Sequence, residues 1–202
     1  MGTRIVYLKR KPDSYWSGGY TERIETSWRQ HVDTAAGGPL LMNNIHDIDR
    51  FRYMTELDET RVYAEGGTFL TDVEVEDFIC VTIRYANGAV GSIESSSAIE
   101  GRFDGGPDNR IYGEMGTILL SNPLRVQTTE DTHLGAAGEW HEIAPESFDL
   151  NFFEEFAEAV ETGGAVPISA EDARKDLEVV LAAYELAATN EPVTLPLSSG
   201  AD

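Results

Sequence analysis

The chain has 202 residues, 41% hydrophobic and 25% charged, a balance that suits a folded domain with its own core and excludes a disordered tail. Thirty-six acidic residues against fifteen basic ones leave a formal charge of −21. Such a surface repels phosphate backbones and anionic head groups, so neither nucleic acid nor a membrane is expected as a partner. Carboxylate excess with twelve arginines and only three lysines fits a salt-adapted, halophilic proteome, in which mutual repulsion is screened at high ionic strength. The lone cysteine, Cys80, has no internal disulfide partner and is expected as a small buried hydrophobe in its strand. No run approaches the ~18 apolar residues of a membrane span, and Met1 to Tyr7 has no targeting core, so a cytoplasmic location is expected.

Residues 1–36 read as a strand followed by a long loop carrying Tyr15, Trp16, Tyr20 and Trp28. Gly37-Gly38-Pro39 then punctuates the chain, and Leu41, Ile45 and Ile48 fall at i, i+4, i+7, which predicts a helix over 40–55. The period changes to two at 79–85, where Ile79, Val81, Ile83 and Tyr85 alternate with Cys80, Thr82 and Arg84. Asn87-Gly88 supplies a two-residue turn and 89–94 returns, a hairpin. Further strand signals lie at 60–64, 109–112, 117–121 and 125–128, with Gly113 and Gly116 bracketing a second turn, so a mainly antiparallel sheet is predicted. These strands read as apolar on both faces, and a helix layer covers only one, which predicts self-association into a dimer or tetramer. Two helices follow, one through Phe152 or Phe153, Phe156 and Val160, the other through Ala173, Leu177, Leu181, Tyr184 and Ala188. Ser169 and Asp172 are placed to cap the second, and Pro192 lies beyond its end. No repeat or linker divides the chain, so 1–202 is read as a single domain.

Among the four histidines His46 is the most suggestive, because Met42, His46, Asp49 and Tyr53 share one flank of the predicted helix. An imidazole three residues before a carboxylate suits a general acid/base near neutral pH, and equally suits a surface hydrogen bond. His31, Asp33, His46, Asp47 and Asp49 offer the atom types of a divalent-metal site, but no HExxH, paired-cysteine or calcium-loop spacing selects them. Ser95-Ser96-Ser97 lacks a G-x-S-x-G elbow and reads as polar strand residues on a solvated face. The glycine pairs at 66, 105 and 163 match neither G-x-G-x-x-G nor a phosphate loop.

The run from Gly37 to Asp49 (Gly37-Gly38-Pro39-Leu40-Leu41-Met42-Asn43-Asn44-Ile45-His46-Asp47-Ile48-Asp49), continued by Arg50 to Tyr53, resembles the Gfo/Idh/MocA family of nicotinamide-dependent oxidoreductases. The likeness continues through Val90 to Glu94, Ile111 to Ile118 and Ile168 to Leu177, in the family's order. The resemblance implies an α+β substrate and oligomerisation domain, an open, predominantly antiparallel sheet with helices on one face and a partner subunit on the other. It implies that His46 acts as acid/base on a sugar or polyol, that Asn43 hydrogen-bonds substrate, that Trp28 and Arg29 line the pocket, and that Asp49 orients the histidine or pairs with Arg52. It also implies NAD or NADP in the complete enzyme, held by a Rossmann domain that this chain lacks, so no coenzyme is expected on the chain alone. Met42 stands where many members carry an aspartate, and Lys11-Pro12 reads as a false match to the family's Glu-Lys-Pro lysine. The alternative is a noncatalytic module of the same fold that self-associates or binds a ligand.

Overall fold

A computed structural model describes residues 1–18, 23–101, 108–144, 152–189 and 191–197. The chain opens with β1 (Gly2–Leu8), then short helical turns α1 (Asp13–Ser17) and α2 (Val32–Ala35) with a 3-10 turn at Trp28–Gln30 between them. The predicted long loop is therefore partly helical. A π turn over Leu40–Asn44 runs directly into α3 (Ile45–Thr55), so the helix expected at 40–55 is present but opens with a widened turn. Six further strands follow up to residue 128: β2 (Glu59–Gly67), β3 (Phe78–Tyr85), β4 (Val90–Ser96), β5 (Arg110–Tyr112), β6 (Gly116–Leu119) and β7 (Leu124–Thr128). The chain closes with β8 (Trp140–Ile143), α4 (Phe152–Thr162), α5 (Ala170–Thr189) and β9 (Val193–Thr194). Neither β8 nor β9 has a sequence signal strong enough to predict it.

The nine strands form one sheet in the order β8-β7-β6-β5-β1-β4-β3-β2-β9. Every pairing is antiparallel except β1 with β4, whose chains run the same way and so leave the sheet at the same end. The β3–β4 hairpin forms as predicted, with Gly88 at φ 86 in the turn, a conformation glycine adopts without strain. Val62, Val81, Ile83 and Ile93 of the sheet bury against Ile48 and Phe51 of α3 and Val180 and Leu186 of α5. Ala182 and Ala183, fully buried, keep the long helix close to the sheet. Ser169 Oγ accepts the Asp172 amide at 3.0 Å, the predicted cap of α5.

Three expectations are corrected here. Strict alternation in β3 sends Ile79, Val81 and Ile83 inward, so Cys80 points outward, is exposed, and pairs across the sheet with Glu65 and Glu94. The open face over β2–β4 is consequently polar, with Arg61, Glu65, Thr82 and Arg84 beside Tyr63, and not apolar as the self-association argument assumed. Ser95, Ser96 and Ser97 are buried and not on a solvated face. Ser95 Oγ donates to Asn44 Oδ1, while Ser96 Oγ donates to the Asp77 carbonyl and accepts the Ala98 and Ile99 amides.

Candidate active site

The parallel pairing of β1 and β4 delivers Lys9–Lys11 and Ser97–Ala98 to one end of the sheet, where the Lys11 amide donates to the Ser97 carbonyl at 2.7 Å. The segment after β1 folds back over the start of the 40–55 helix. Its anchors are Tyr15 and Trp16, buried with Ala35 and Val75 and packed on Met42 and Val73. Tyr15 is the hub. Its hydroxyl donates to Met42 Sδ at 3.2 Å, while the Lys11 ammonium and the Arg29 guanidinium each lie 4.8 Å from its ring centre. Arg29 also stacks on Trp28 at 4.4 Å. Trp28, Arg29 and Met42 are thereby brought together, and His46 follows Met42 one helical turn later.

Two side chains explain why the glycine pair precedes this helix. The Glu76 carboxylate accepts the Gly38 amide, the Leu40 amide at 3.1 Å and the Tyr184 hydroxyl at 2.8 Å. A Cβ on Gly37 would fall 2.2 Å from the Tyr184 hydroxyl, and one on Gly38 would fall 2.0 Å from the Glu76 carbonyl oxygen. Burial pushes the Glu76 pKa up, against the pull of those three donors, and pushes the Tyr184 hydroxyl upward too, with the Glu76 charge adding to it. The helix start is therefore already neutralised by a carboxylate.

His46 is exposed, on the first turn of α3. The carboxylate that feels its charge is Asp47, whose pKa burial raises while Arg50 and then His46 pull it down. Asp47 accepts from Arg50 and, at 3.4 Å, from Asn109 Nδ2. Asp49 does not take the place expected for it. Among the described residues it bonds neither His46 nor Arg52, because Arg52 is drawn to Asp176 at 2.7 Å and Glu59 at 3.1 Å. Asp49 instead lines a cavity of about 670 Å³ with Tyr53, Phe152, Asp172 and Lys175. Asn43 is half-buried, and its Oδ1 is without a hydrogen-bond partner among the described residues. His31 sits 3.1 Å from Glu74, and no cluster of three or more metal-binding side chains occurs among the described residues.

Lys11 is the residue that sequence reasoning set aside. It is 7% exposed, donates to the Tyr7 hydroxyl at 2.8 Å and lies over both Tyr7 and Tyr15. The signal was present in the spacing, since Tyr7, Lys11 and Tyr15 recur every four residues. Lys11 and Ser97 line a cavity of about 480 Å³ with Arg10, Trp16, Gln30 and Thr71.

Residues 8–119 match the model of the GFO/IDH/MocA C-terminal domain. The chain belongs to that family. Uncharacterized oxidoreductase YrbE of Bacillus subtilis (strain 168) is 25% identical over 169 residues, covering 79% of this chain and 49% of the relative. Levoglucosan dehydrogenase, solved with NADH and levoglucosan, superposes with a TM-score of 0.74 at 24% identity, over 98% of this chain and 59% of its own. The WlbA dehydrogenase of Bordetella pertussis, solved with NADH and UDP-GlcNAcA, gives 0.73 at 20% identity over 97% and 55%. The aldose-aldose oxidoreductase of Caulobacter crescentus, complexed with glycerol, gives 0.74 at 22% over 96% and 55%. The chain thus spans about half the length of these proteins, and the likeness to the solved structures establishes the α+β fold.

The glycine pairs among the described residues do not form a phosphate cradle, and Gly105-Gly106 lies outside the described residues. Gly66-Gly67 closes β2 and Gly163-Gly164 follows α4, so neither pair joins a strand to a helix start. At Gly37-Gly38, where a helix does begin, Glu76 occupies the amides a pyrophosphate would need. No helix among the described residues is long and apolar enough to cross a membrane.

Proposed function

We propose that this chain is the substrate-binding part of an NAD(P)-dependent sugar or polyol oxidoreductase and that His46 is its acid/base. The observation that supports this most is the convergence on Tyr15. One buried ring ties Lys11 and Arg29 to Met42, and so fixes the polar loop against the turn that presents His46. His46, exposed on that turn, is open to a hydroxyl group of an incoming substrate. The neutral imidazole takes the hydroxyl proton as the carbon–hydrogen bond breaks, so no free alkoxide has to persist. In this reading Trp28 and Arg29 offer the substrate an aromatic and a cationic contact, and Asn43 offers it a polar one. Met42 replaces a proton-accepting side chain with a thioether, and its bond to Tyr15 makes it a packing residue. The hydride acceptor is held by a part of the enzyme outside these residues. NAD or NADP is read as that acceptor. Self-association through the open sheet face is part of the same proposal, carried there by Tyr63, Tyr112 and Trp140 among polar neighbours.

The complete polypeptide, offered a panel of sugars and polyols with NAD⁺ or NADP⁺, is expected to reduce coenzyme with at least one of them. No coenzyme reduction across the panel would contradict the enzymatic reading and favour a noncatalytic binding module.

A further inference from the structure

We propose that Ser95 and Asn44 are a positioning pair for His46, joined by a buried hydrogen bond that fixes the rotation of the turn presenting the imidazole; this deepens the oxidoreductase reading above and rests on it. Both side chains are fully buried, so neither touches substrate. Their part is to hold the backbone two residues before the histidine.

The geometry follows from the helix period. Successive residues turn by about 100°, so Asn44 and Asp47 share the face toward the sheet while His46 points nearly opposite to Asn44. Asn44 is accordingly buried and His46 exposed. The rest of that inner face is Leu40, Ile48 and Phe51, buried apolar side chains whose contacts carry no direction and tolerate a small rotation. Directional contacts on both sides of β1 remove that freedom. From β4, Ser95 Oγ donates to Asn44 Oδ1. From the approach to β5, the buried Asn109 accepts the Val6 amide at 2.7 Å and donates to Asp47 at 3.4 Å. The turn is thereby tied to both neighbours of β1 in the sheet.

Asn44 also ends the widened turn. The Ile45 amide donates to the Leu40 carbonyl, five residues back, where an ordinary α turn would reach four. Relaxing that turn would rotate Met42 and Asn43 against His46, and the Ser95 bond holds the residue where the two spacings meet. Stability alone does not explain an asparagine here. Its Nδ2 has no partner among the described residues, and an apolar side chain of similar size would avoid that cost.

The test compares Ser95→Ala, Asn44→Ala and the double variant with Val180→Ala, a core truncation on α5 away from this turn. Turnover is measured in the complete polypeptide, well below each Tm, and NMR spectra are recorded on this chain. Ser95→Ala is expected to lower kcat about tenfold or more and leave KM within about threefold, since misplacing a reacting group costs rate more than affinity. The double variant should stay within about twofold of the worse single one, because the bond is lost once. Val180→Ala should lower Tm and keep kcat within about twofold. On the chain, exchange of the Ile45 amide should accelerate and the His46 ring resonances shift in Ser95→Ala and not in Val180→Ala. An unchanged kcat in Ser95→Ala, an equal loss in Val180→Ala, or additive losses in the double variant would each overturn the proposal. Failure of the oxidoreductase reading shows separately, as a parent without turnover; unmoved His46 and Ile45 signals in Ser95→Ala would then still overturn the positioning role.

Discussion

Replacing Glu76 by alanine tests how the start of the 40–55 helix is held. The substitution removes the acceptor of the Gly38 amide, the Leu40 amide and the Tyr184 hydroxyl in one step, and so unties α5 from the turn that leads to His46. Each buried donor left without an acceptor costs about 1–3 kcal/mol. The raised pKa of Glu76 shows that its burial already costs something, which offsets part of that loss. A net destabilisation of about 3 kcal/mol follows, because three donors are orphaned and only one carboxylate is relieved. For a domain of this size that corresponds to a Tm lower by roughly 6–12 °C, measured by calorimetry or circular dichroism in molar salt. Hydrogen exchange at the Gly38 and Leu40 amides should accelerate with it. A Tm within about 1 °C of the parent, with unchanged exchange at those amides, would refute the claim that Glu76 organises this turn.

Two further outcomes follow from the charges. Burial raises the Glu59 pKa to about 7, more than the Arg52 attraction lowers it. A carboxylate with a raised folded pKa binds more protons folded than unfolded, so it loses stability as pH climbs from about 4.5 to about 7. Glu59→Gln should therefore match the parent near pH 4 and gain up to about 3 kcal/mol on it by pH 8, read from urea unfolding across that range. A variant that instead loses stability with rising pH would show that the Arg52–Glu59 pair outweighs its desolvation. Sedimentation in molar salt, where charge repulsion is screened, should give a dimer or tetramer; a clean monomer would reject the proposed self-association.

Local periodicity made much of the fold legible. Alternation at 79–85, the Asn87-Gly88 turn and the i, i+4, i+7 spacing after Gly38 each depend on neighbouring residues, and each element formed where it was expected. Cys80 was misread although the same alternation, with Ile79 and Val81 inward, already turned it outward. β8 and β9 are short edge pairings set by the strands beside them, with little pattern of their own. The serines at 95–97 look solvent-facing in sequence because their partners, Asn44 and Asp77, are remote. Tertiary packing decides such residues. For the same reason the helix spacing placed Asp49 beside His46, whereas the buried pull of Glu59 and Asp176 on Arg52 leaves Asp49 lining a cavity with Tyr53 and Lys175.

The central claim is that the His46 imidazole moves the substrate proton. Turnover by the complete polypeptide with His46→Ala, compared with the parent at saturating substrate, addresses it most directly. A loss of kcat of about 10²–10⁴ with an unchanged sedimentation profile is the expected result, the usual worth of a positioned general base. A rate within about threefold of the parent would contradict the claim.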